Sequence, residues 1–164
     1  MRMMIGTKVI YPSQGPCLIG SIVQKEIAGS PVSCYQLALL DESGGELFVP
    51  VARARTSGLR QMLRRSEIPA LLSRLQQPTV ATKDWKQRAG ENSKRLASGS
   101  AFDLVEIIKS LTALSAKKEL SFTESRTLEK ARRLMIGEIA EVLSATRSAA
   151  EELIDHAIKA PKAV

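Results

Sequence analysis

The chain has 164 residues and a mass of 17.9 kDa, enough for one ordinary domain or two small ones. It carries 24 Lys and Arg against 17 Asp and Glu, a net charge of +7, and its 44% hydrophobic content is that of a globular chain. Only 4% of residues are aromatic, so the core must come from Leu, Ile, Val, Ala and Met, and no apolar run approaches the ~18 residues that span a bilayer.

In chain order, Thr7-Lys8-Val9-Ile10-Tyr11 alternates toward a short strand that stops at Pro12, and Ser13-Gln14-Gly15-Pro16 reads as a turn. Residues 17–27 predict a longer strand with a bend or bulge at Gly20. Ala28-Gly29-Ser30-Pro31 turns the chain into a third strand over 34–40; the loop 41–45 leads to a fourth at Glu46-Leu47-Phe48-Val49-Pro50. Four or five short strands at this spacing suggest a small barrel or a strongly twisted antiparallel sheet.

From residue 59 the period becomes helical. Ser66 is the expected N-cap of a helix with Ile68, Leu71, Leu72 and Leu75 on one face, stopped by Pro78. A second helix is expected from about Lys83 to Ala97, ended by Ser98-Gly99. Ser100 starts a third, with Leu104, Ile107, Ile108, Leu111 and Leu114 inward. Ser121 and Glu124 have the spacing of a capping box. It opens a fourth helix, about Thr123–Ser144, that buries Leu128, Ala131, Leu134, Met135, Ile139 and Leu143. A fifth spans about Thr146–Ala160 with Leu153, Ile154 and Ala157 inward. The predicted organisation is therefore α+β, a β module over 1–58 and an all-helical module over 59–164. The first holds five basic and four acidic residues, the second nineteen and thirteen, so the positive excess belongs to the helical part.

Chemistry is thinly supplied. Cys17 and Cys34 lack CxxC spacing, which argues against a disulfide framework or zinc site and for a reducing, cytoplasmic setting. The first residues lack the apolar stretch of a secretion signal. His156 is the one histidine, and the chain contains no Walker A, GxGxxG, HExxH or GxSxG pattern. No enzyme, metal, cofactor or small-molecule ligand is expected.

Two basic groups stand out in the helical part. The only Trp, Trp85, lies among Lys83, Lys86 and Arg88 at the start of a helix. Its indole either anchors that helix to the core or projects as a ring that enters a DNA groove while Lys86 and Arg88 hold phosphates. On the fourth helix Arg126, Lys130 and Arg133 are spaced to share one face, with Arg132 pointing elsewhere. That face is either a solvated surface or a phosphate-binding one.

Gly6-Thr7-Lys8-Val9-Ile10-Tyr11-Pro12 with Gly15, Phe48-Val49-Pro50 and Ser57-Gly58-Leu59-Arg60 resemble the CarD/CdnL family of bacterial transcription regulators. So do Trp85, Arg88, Leu96-Ala97-Ser98-Gly99 and Lys130-Ala131-Arg132-Arg133-Leu134 through Gly137-Glu138. These motifs occur in order over nearly the whole chain.

The resemblance implies an N-terminal Tudor-like barrel that binds the β subunit of RNA polymerase, with Lys25, Leu47, Phe48, Val49 and Pro50 at the contact. It also implies a helical module that contacts promoter DNA at the upstream edge of the melted region. Trp85 would be a minor-groove wedge, with Lys86, Arg88, Arg126, Lys130, Arg132 and Arg133 as the basic residues at the DNA. Phe48 stands where relatives carry a basic residue or Met, so it is either an apolar anchor for the polymerase or an inward core residue. The alternative reading is a Tudor-like and helical adaptor for RNA or peptides that does not act on polymerase.

Overall fold

A computed structural model describes residues 4–41, 43–79 and 84–159. The chain divides into two compact units, Met1–Met62 and Leu63–Val164.

The first unit is one antiparallel sheet. Its strands are β1 (Lys8–Tyr11), β2 (Gly15–Ile27), β3 (Ser30–Leu39), β4 (Glu46–Pro50) and β5 (Arg60–Gln61), in the order β4-β3-β2-β1-β5. Alternation directs Val9, Cys17, Ile19, Leu37 and Val49 into a core closed by Ala54 and Leu59. The ladder between β2 and β3 shifts register between Ile19 and Ile22. Gly20 lies in that shift, where a Cβ would stand 3.2 Å from the Gln36 carbonyl oxygen; the expected bulge is present. Beyond it Ile27 pairs with Ser30 across the tight turn Ala28-Gly29, both residues at positive φ. The Tyr11-Pro12 and Ser57-Gly58 motifs meet in space. Gly58 has φ +86°, and a Cβ on it would come 2.7 Å from the Pro12 ring, so only glycine fits.

The expected barrel is not closed. β4 and β5 end the sheet and do not pair with each other among the described residues. Closure needs a ladder between the end strands, and β5 is a two-residue strand whose register partners are Val9 and Ile10 of β1.

The second unit contains α1 (Ile68–Gln76), α2 (Trp85–Ser98), α3 (Ala101–Ser115), α4 (Phe122–Leu143) and α5 (Arg147–Lys159). The core sits around α3, whose Leu104, Val105, Ile107, Ile108 and Leu111 are buried against Leu71 of α1, Met135 and Ile139 of α4 and Ile154 of α5. Ser66 does not cap α1: it lies in a 3-10 turn, Arg65–Glu67, and Glu67 is the N-cap. Leu153, expected inward, is exposed on α5, while Leu128 and Leu143 are half-buried. Thr82 and Lys83, and the expected end of α5 at Ala160, lie outside the described residues. No described helix is long and apolar enough to cross a membrane.

Candidate functional site

Each unit presents its own candidate surface. On the first, β4 is an edge strand that pairs only with β3 among the described residues. The side chain of Val49 is buried in the core, and Leu47 and Pro50 are half-buried. Phe48 points the other way and is 39% exposed, with the Lys25 ammonium 3.9 Å from its ring centroid. Phe48 is therefore an outward residue, and the cation over its face holds the ring in place. Of the five expected polymerase-contact residues, Lys25 and Phe48 come together on the outer surface, while Val49 serves the fold.

On the second unit, Asp84 caps α2 by accepting a hydrogen bond from the Gln87 amide at 2.9 Å, which places Trp85 as the first helical residue. The indole is 64% exposed, and the Lys86 ammonium lies 5.7 Å from it. An indole anchored in the core would be covered; this one is not. The first turn of α2 contains no acidic residue, although carboxylates there would suit the helix dipole and cations do not.

Arg88 behaves differently from Lys86. Its Nε donates to Glu124 Oε2 at 3.0 Å and its Nη2 to Oε1 at 3.4 Å, with both side chains 14% exposed. The pair joins the first turn of α2 to that of α4. Ser121 accepts from the Glu124 amide at 3.1 Å as expected, but the Glu124 carboxylate turns to Arg88 instead of closing the capping box.

Further along α4, Arg126, Lys130 and Arg133 line a groove of about 490 Å³ with Phe122 and Leu96. The Arg126 guanidinium lies 5.4 Å from the Phe122 ring centroid, and that ring is 75% exposed. Arg132 projects away from the groove and bonds Asp155 at 2.8 Å, tying α4 to α5. The Arg147 guanidinium donates to the Arg133 carbonyl at 3.4 Å. Among the described residues, Lys86, Arg126, Lys130, Arg133 and Arg147 form no ion pair with a carboxylate, whereas Arg88 and Arg132 do. The seven basic and aromatic residues expected at DNA thus divide: Trp85, Lys86, Arg126, Lys130 and Arg133 are available to a ligand, and two arginines hold helices together.

Two residues of this surface were not singled out from the sequence. Phe122 had a readable signal, since it follows the cap and lies off the buried stripe of α4. Arg147 had none, and Glu124 was read only as half of a capping box, because its bond to Arg88 depends on which helices pack together.

Comparison with known proteins adds independent information. The family described as "CarD, C-terminal domain" matches residues 70–155, and that described as "CarD-like/TRCF RID domain" matches residues 3–63. YdeB of Bacillus subtilis (strain 168), named as a candidate transcription factor, is 22% identical over 136 residues, covering 82% of this chain and 88% of that protein. The solution structure of the 72-residue N-terminal domain of Myxococcus xanthus CarD is 30% identical, covering 37% of this chain and 79% of that one, with a TM-score of 0.30.

Proposed function

The chain belongs to the CarD family of transcription regulators, and from that premise we propose that it is a non-catalytic factor that binds the β subunit of RNA polymerase and stabilises the open promoter complex. The observation that carries the reading is the exposure of Trp85, the only Trp, on the cation-bearing first turn of α2.

In this reading Trp85 enters the minor groove at the upstream edge of the bubble and resists re-stacking of the base step it occupies. Lys86, Arg126, Lys130 and Arg133 hold phosphates without reading sequence, and Phe122 extends the apolar part of the contact. The outer face of the sheet around Phe48 and Lys25, beside the free edge of β4, docks the β subunit with Phe48 as anchor. Tethering raises the local DNA concentration, so weak intrinsic DNA affinity suffices. A factor that binds the open complex more tightly than the closed one shifts the population toward open by that difference in affinity.

The polymerase half is tested by capture of the purified β subunit on immobilised full chain. Phe48→Ala is expected to weaken capture by about tenfold, the loss of about 1.4 kcal/mol at a partly exposed anchor, and to leave DNA affinity unchanged. No capture of β by the wild-type chain, together with retained RNA or peptide binding, would instead support the adaptor reading.

A further inference from the structure

We infer that Glu124 is the positioning residue for Trp85: by clamping Arg88 it fixes the first turn of α2, so that Arg88 serves DNA binding by holding the Trp85 turn and not by touching phosphate. The inference rests on the DNA reading of Trp85 given above.

α2 has little apolar hold on its unit. Its one buried residue is Asn92, and the hydrophobic side chain it packs on the core is the half-buried Leu96. Leu96 lies eleven positions beyond Trp85, roughly 16 Å along the helix axis. The turn that carries the indole therefore needs an anchor of its own. Arg88 lies one turn after Trp85, and its two-pronged bond to Glu124 fixes orientation as well as distance. Glu124 stands on the capped first turn of α4, a helix rooted in the core through Ala131, Met135 and Ile139. Rigidity thus passes from the core along α4 to Glu124, to Arg88 and to the exposed ring.

The same geometry removes Arg88 from the phosphate-binding set. Its Nε and Nη2 edge faces a carboxylate, its charge is balanced there, and both side chains are largely shielded from solvent.

A charge exchange separates the two roles. The full-length wild type, Arg88→Glu, Glu124→Arg and the double exchange are compared by Trp85 fluorescence anisotropy without DNA. Their affinity for a short duplex containing an unpaired bubble is measured alongside. Each single change is expected to lower the anisotropy and to weaken bubble binding by about tenfold; the double exchange restores both. Circular dichroism of Glu124→Gln, which keeps the side-chain shape, monitors folding, and native helix content with lowered anisotropy supports the clamp. A double exchange that binds as weakly as Arg88→Glu overturns the inference, because it places Arg88 on phosphate. Unchanged anisotropy in the single variants overturns it as well. A wild type that does not prefer the bubble over intact duplex overturns the DNA reading of Trp85 instead, and the anisotropy still decides the clamp.

Discussion

An indole that is 64% exposed contributes little to folding, and the chain has only six aromatic residues in all. The exposure of Trp85 is what the proposed groove contact requires. The sequence singled out Trp85 through the surrounding lysines and arginines but left its direction open, because the first turn of a helix has too few residues to reveal a buried face. Phe48 posed the same problem on a strand. Leu47, Phe48 and Val49 are all apolar, so a period of two could not say which of them faces the core; the sheet register puts Val49 inside and Phe48 outside.

Cys17 is buried in the core of the same sheet. Burial pushes its thiol up from 9.0 to about 11, with a smaller contribution in the same direction from Asp41 and an opposing hydrogen bond from the Tyr11 backbone. The folded state therefore keeps its proton where the unfolded state has lost it. Stability from this group is fully present below pH 9.0 and is lost as pH rises toward about 11, by up to about 3 kcal/mol. Denaturant midpoints of wild type and Cys17→Ala compared across that window should show the larger alkaline loss in the wild type.

At the scale of elements, four of the strands and all five helices could be read from the sequence because each has a strong local signal: alternation, turn residues, or an apolar stripe of helical period. β5 could not. Two residues have no period, and Arg60-Gln61 is a strand only because β1 lies beside it. The barrel expectation failed for the same reason, since closure depends on pairing between strands distant in sequence. The capping box of α4 was half legible: Ser121 acts as read, but an acid at that position serves equally well as a partner for a neighbouring helix.

Among the five described helices, α2 alone buries no hydrophobic side chain fully. Gly90 in its middle has open space around the position a Cβ would take. Gly90→Ala should accordingly stabilise the helix by up to about 1 kcal/mol, seen as a raised thermal midpoint with native helix content. A lowered midpoint would mean that Gly90 makes a close approach that the structure lacks.

For the whole molecule, net charge alone said only that a polyanion is a plausible partner. The structure sorts that charge into cations held by carboxylates, such as Arg88 and Arg132, and cations left facing solvent around Trp85 and along α4. Sequence spacing grouped Arg126, Lys130 and Arg133 correctly because they lie on one helix. It could not separate Arg88 from Lys86, because the partner of Arg88 lies 36 residues away.

The central claim, that an exposed indole on a polymerase-tethered chain resists bubble collapse, is tested most directly by the lifetime of open complexes. These would be formed by the cognate RNA polymerase holoenzyme on a short-lived promoter and challenged with competitor DNA, with β-subunit capture measured in parallel. The wild-type chain should prolong the lifetime several-fold, and Trp85→Ala should return it to the value without the factor while capture is unchanged. Equal prolongation by Trp85→Ala, or loss of capture together with loss of prolongation, would contradict the account.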